Sequence, residues 1–174
     1  MRSSNRSGAP AWAAPACLLL TAVGIGLATY LTIAHYDTHV TLACPGKGAV
    51  NCEAVTTSAQ SKLFGIPVAL LGLLYFVGMV PWHLPAAWRS ADPRIKYGRL
   101  IYGASGIGFV CYLIYAEAAI IKKICLWCTG VHITTFLLFF VMVFATALAV
   151  PTDVDLEDDE DADYADDSEP GLSH

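Results

Sequence analysis

Cys125-Leu126-Trp127-Cys128 opens an apolar run that continues without a charge to Val150. That run exceeds the roughly 20 residues a helix needs to cross the hydrocarbon of a bilayer. The two cysteines are three positions apart, so a helix places them on one face. They also fall in its first turn, where unpaired N–H groups and the positive dipole end favour a thiolate. Lys122 and Lys123 add positive charge just upstream. The fold is therefore read outward from a CxxC pair at the head of a membrane helix.

Three more apolar stretches precede it. Ala11 to Ala34 carries no charge and follows the basic, polar Met1 to Pro10. A signal peptide has the same order, but this apolar run is too long for an h-region, and the small residues of Ala11–Ala16 precede it instead of following it. Phe64 to Leu84 forms a second stretch with Pro67 in its first turn, where a missing N–H costs little. Leu100 to Ile121 forms a third, with Glu117 its only charge. The expectation is an all-α membrane protein: a four-transmembrane-helix bundle with helices at about 11–34, 64–84, 100–121 and 125–150. Residues 1–10 form an N-terminal segment, and 11–152 form the one transmembrane domain. Residues 153–174 form a disordered acidic tail.

Composition agrees. The 174-residue chain is 56% hydrophobic, above the 45–50% usual for soluble domains. Its net charge of −5 misleads, because eleven of fifteen acids lie between Asp153 and Glu169. Met1 to Thr152 holds all ten bases and four acids. No aromatic-basic surface pattern accompanies those bases, which argues against a nucleic-acid partner.

Four helices put both termini on one side. The N-terminus and the 85–99 connection hold Arg2, Arg6, Arg89, Arg94, Lys96 and Arg99, against Lys47, Lys62, Lys122 and Lys123 in the other two connections. The positive-inside rule then places the termini in the cytoplasm. The 35–63 loop and the Cys125 end of helix 4 share the extracytoplasmic face, where disulfides persist.

That loop contains the second cysteine pair, Cys44-Pro-Gly-Lys-Gly-Ala-Val-Asn-Cys52. Pro45, Gly46 and Gly48 mark a turn, and Glu53 to Lys62 reads as a short interfacial helix. Thiol–disulfide exchange needs an attacking thiolate and a reachable disulfide, and two pairs on one face supply both. The rival reading is a non-enzymatic membrane scaffold whose four cysteines bind zinc or staple the loop. Cys128 lies one turn deeper than Cys125, so it is the sulfur for a lipid-soluble acceptor and Cys125 the one for the loop. His132, four residues on, shares the Cys128 face. A quinone carbonyl would give its imidazole a partner, as would an interhelical hydrogen bond. Glu117 has Lys122, Lys123 or His132 as partners, or snorkels. Cys17 and Cys111 read as small buried hydrophobes. Most tyrosines and tryptophans fit aromatic belts at the membrane surfaces.

In order, Cys44-x7-Cys52, Ser58, Phe64-Gly65-Ile66-Pro67 and Cys125-x2-Cys128 resemble the vitamin K epoxide reductase family, over roughly Ala16 to Val150. The chain looks like a bacterial member without a fused thioredoxin-like domain. The resemblance implies a bundle around a quinone (menaquinone or ubiquinone), capped by the loop and its short helix. It implies a quinone-dependent thiol oxidase of the cell membrane, served by a separate extracytoplasmic thioredoxin-like protein and supporting disulfide formation in exported proteins. Cys44 and Cys52 would be the shuttle pair, Cys52 exchanging with Cys125 and Cys128 passing electrons on. Ser58, Ser61, Phe64 and His132 would lie near the quinone. Ser61 stands where vertebrate members have Asn, and His132 where they have Tyr.

Overall fold

The computed structural model of the chain describes residues 9–37, 39–40, 42–44, 48–90 and 92–149. The expected acidic tail, most of the N-terminal segment and the Pro45–Lys47 turn lie outside the described residues.

Helix α1 (Ala13–Tyr36) is followed by a loop, then by a single turn, α2 (Cys52–Thr56). The Asn51 side chain accepts from the Ala54 N–H at 3.0 Å and so starts that turn. A 3₁₀ turn over Ala59–Ser61 and a two-stranded hairpin follow, β1 (Lys62–Leu63) and β2 (Ile66–Pro67). The chain continues through α3 (Val68–His83), α4 (Pro85–Arg89), α5 (Pro93–Tyr115) and α6 (Leu126–Leu148). Between α5 and α6 the helix widens to a π-helical turn over Ala116–Ile121.

Three of these helices are long and apolar enough to cross a membrane: α1, α5 with its π-turn, and α6. The fourth, α3, has 16 residues, about 24 Å at 1.5 Å per residue. The protein is thus a membrane helical bundle in which α1 packs on α3 and α6, and α5 packs on α6. Glycine allows close approach at two of these seams. A Cβ on Gly24 of α1 would overlap the Phe76 ring of α3, and one on Gly103 of α5 would overlap the Met142 methyl of α6. Lipid offers no hydrophobic drive between helices, so such close packing carries much of their association.

Several expected boundaries move. Helix 2 starts four residues later than Phe64, because Phe64 (φ 52°) and Gly65 (φ 82°) form the turn of the β1–β2 hairpin. Positive φ at both central residues is the type I′ geometry that matches strand twist. The expected helix over Glu53–Lys62 is instead α2, the 3₁₀ turn and β1. The 85–99 connection is mostly helical: Pro93 occupies the first position of α5, and the Asp92 carboxylate accepts from the Arg94 N–H at 2.8 Å. Arg99 is therefore no loop residue but lies buried inside α5.

At that end of the bundle the polar side chains satisfy one another in part. His83 and Thr21 are joined at 2.9 Å, and Arg99 Nη2 donates to Thr146 at 3.2 Å. The Arg99 guanidinium lies 3.5 Å from the centre of the Trp88 ring. Cys17 is buried in the same core cluster as Trp88.

Candidate functional site

The opposite end brings four of the six cysteines together. Cys44 and Cys52 are joined by a disulfide, while Cys125 and Cys128 are thiols. Cys52, Cys125, Leu31 and Val55 form one buried cluster, with Cys44, Cys128, Trp127 and Val131 packed against it.

Backbone pairing sets this juxtaposition. Val50 and Ile124 form a parallel β-bridge. Asn51 N–H donates to the Ile124 carbonyl at 3.1 Å, and Ile124 N–H donates to the Ala49 carbonyl at 2.9 Å. Cys52 and Cys125 follow directly on the two bridged segments. On the other side of the disulfide, the Trp127 indole N–H donates to the Ala43 carbonyl at 3.1 Å and the Trp127 ring packs on Tyr30 at 4.6 Å. Lys123 Nζ donates to the Gly48 carbonyl at 2.8 Å. The segment around the CxxC thus grips the loop before and within the Cys44–Cys52 span. Trp127 and Tyr30, read from the sequence as membrane-belt aromatics, also hold the loop.

Cys125 is the N-cap of α6, one residue ahead of the spanning helix. Its sulfur accepts from the Cys128 N–H at 3.3 Å. A hydrogen bond from the Cys128 thiol, against the effect of burial, holds the Cys125 thiol below its ordinary range. A sulfur placed on the unpaired N–H groups of a helix start is where a thiolate gains most.

Beneath the cysteines lies a cavity of about 330 Å³, the lower end of the range for small-molecule sites. Its walls are largely apolar, with Tyr75, Phe76, Phe109 and Val131 among them. Cys128 and His132 line it from α6, Glu117 from the π-turn, His35 from α1, and Ser58 and Ser61 from the segment below the loop. His132 is 4% exposed, and its Nε2 has no hydrogen-bond partner. Both serine hydroxyls are spent on backbone: Ser58 donates to Val55 and Ser61 to Ser58, each at 2.7 Å. A hydroxyl has one proton to donate, so the serines offer a ligand only lone pairs, whereas His132 offers an open nitrogen.

Of the residues expected near a quinone, Ser58, Ser61 and His132 therefore reach the cavity. Phe64 does not: it is 96% exposed at the hairpin tip and lines no part of it. The four expected redox cysteines meet, while Cys17 lies in the cluster at the far end and Cys111 is exposed on α5. His35 and the loop-holding role of Trp127 were missed by sequence reasoning. So was the reach of Glu117 to the CxxC, where its carboxylate accepts from the Cys125 N–H at 3.3 Å.

The vitamin K epoxide reductase family model matches residues 15–143. That match covers all but the first two residues of α1, the cysteine loop and most of α6, so the chain belongs to the vitamin K epoxide reductase family, a family of membrane oxidoreductases.

Proposed function

We propose that the protein is a membrane thiol oxidase that reoxidises an extracytoplasmic thioredoxin-like protein and passes the electrons through two cysteine pairs to a quinone. The observation that carries this reading is the Val50–Ile124 bridge, which sets Cys52 beside Cys125 while Cys128 opens onto the apolar cavity.

In this reading α3 is the fourth span, its 16 residues crossing where the bilayer thins at modest cost. The start of α1 and the end of α6 lie at the Arg99 end, with Arg89, Arg94 and Lys96 nearby in the chain. The excess of bases supports the cytoplasmic side of a bacterial cell membrane for that end. The loop and the CxxC then face the oxidising side.

The cavity suits a quinone ring: its walls are apolar and the unpartnered His132 Nε2 is available to a carbonyl oxygen. When bound, a quinone takes the electron pair released as Cys125 and Cys128 close their disulfide, with two protons. The chain does the rest. A partner dithiol opens Cys44–Cys52. The Cys52 thiolate attacks Cys125 of the closed helix pair and releases Cys128, and the Cys44 thiolate then attacks Cys52 and frees Cys125. The arrangement found here, with a loop disulfide and a helix dithiol, corresponds to the stage after that exchange. Cys125 suits both its parts, since a low-pKa thiol leaves readily and remains a thiolate for the return attack.

The test is quinone reduction by a thioredoxin-like dithiol donor, followed by absorbance in purified protein. Wild type reduces quinone, and alanine at Cys44, Cys52, Cys125 or Cys128 stops it. Full activity in any of the four variants would remove that residue from the path.

A further inference from the structure

One buried acid has no part in this scheme. Glu117 is 8% exposed, lines the cavity, and is the only carboxylate among its lining residues. Its position depends on irregular backbone. The π-helical turn Ala116–Ile121 widens the end of the α5 helix, and π-turns recur at functional sites. Lys122 ends it in the left-handed region (φ 56°), and the Lys123 N–H returns to the Glu117 carbonyl at 3.2 Å. The carboxylate is thereby turned onto the start of α6, where it accepts from the Cys125 N–H at 3.3 Å and shares the cavity wall with Cys128. A buried carboxylate without a basic partner is costly in a membrane, and among the described residues it forms no ion pair. The other titratable groups on the cavity are Cys128, His132, His35 and Tyr75.

We propose that Glu117 is a catalytic residue that takes the Cys128 proton when the helix disulfide closes and returns it when the disulfide opens. The inference rests on the thiol-oxidase reading above. On closing, the Cys125 thiolate attacks the Cys128 sulfur, the Cys128 proton moves to the Glu117 carboxylate, and the electron pair leaves to the quinone. With a quinone bound, Glu117 would supply that proton to a quinone oxygen. The second proton comes from water, matching the one Cys125 gave to water on becoming a thiolate. On opening, Cys128 departs as the leaving group and recovers a proton from Glu117.

Two strongly interacting groups titrate in two linked steps. The test is the pH profile of Cys128 alkylation by iodoacetamide in reduced, quinone-free full-length Cys125→Ala protein, where no second thiol interacts with Cys128, read by mass spectrometry. That protein shows two steps, adding Glu117→Asp retains two, and adding Glu117→Gln collapses them to one. Glutamine keeps an acceptor for the N–H at position 125, so a merely structural Glu117 would leave the profile unchanged on Glu117→Gln. Quinone reduction in Glu117→Gln falls about 100-fold, the lower range for a lost general acid–base. A single step in the Cys125→Ala protein overturns the proposal even if the Glu117 variants fail to fold. Two steps there, with no quinone reduction by wild type, would support proton exchange between Glu117 and Cys128 and remove the quinone reading instead.

Discussion

The two ends of the bundle are built from similar materials and differ in what those materials can reach. At one end Cys17, His83 and Arg99 are buried at 0%, 0% and 4% exposure. Thr21 and Thr146 take up part of their hydrogen bonding, Trp88 covers the guanidinium, and none of the three lines the cavity. At the other end Cys52 and Cys125 are equally buried, but a β-bridge brings them together and Cys128, Glu117 and His132 open onto the cavity. A buried cysteine or charge is therefore no sign of chemistry by itself. The difference lies in a second sulfur within the same cluster and a space in which something can be received.

The largest expected contrast is between Cys128 and Cys17. Cys128→Ala lowers quinone reduction at least about 10³-fold, since the disulfide can no longer close. Cys17→Ala stays within about twofold of wild type in the same assay; total loss there would mean the far end takes part. Next is the loop. Trp127→Phe keeps the ring beside Tyr30 but removes the bond to the Ala43 carbonyl. A lost hydrogen bond of about 1.4 kcal/mol corresponds to a tenfold change, so internal exchange between the pairs, followed by quenched alkylation, slows about tenfold. An unchanged rate would show that the β-bridge alone holds the loop. The smallest effect belongs to the far end. Thr21→Val leaves the His83 Nδ1 without its partner and lowers thermal stability by about 1 kcal/mol, with quinone reduction unchanged.

The parts of this molecule that were legible in its sequence are those set by local composition. α1 and α6 fall within two residues of their expected limits among the described residues, because uninterrupted apolar runs leave little choice. The Asp92-Pro93 start of α5 was also readable, as a capping carboxylate followed by proline at the first helical position, although helix 3 was expected only from Leu100. The hairpin was not, because Phe64-Gly65 lacks the Asn-Gly or Asp-Gly signature of its turn type. The Val50–Ile124 bridge joins segments far apart in the chain and leaves no periodic trace in either. The same holds for the π-turn, so Glu117 could be singled out as an acid in an apolar run but not given its neighbour. Trp127 was read by type, and only its contact with Ala43 gives it a task.

The central claim is that Cys52 and Cys125 exchange with each other, and it is tested most directly by removing their two resolving partners together. In a Cys44→Ala, Cys128→Ala double variant, mild oxidation followed by non-reducing mass spectrometry of the digested protein should find Cys52 and Cys125 linked in most molecules. Both thiols remaining free, or Cys52 linked to Cys17 or Cys111 instead, would contradict it.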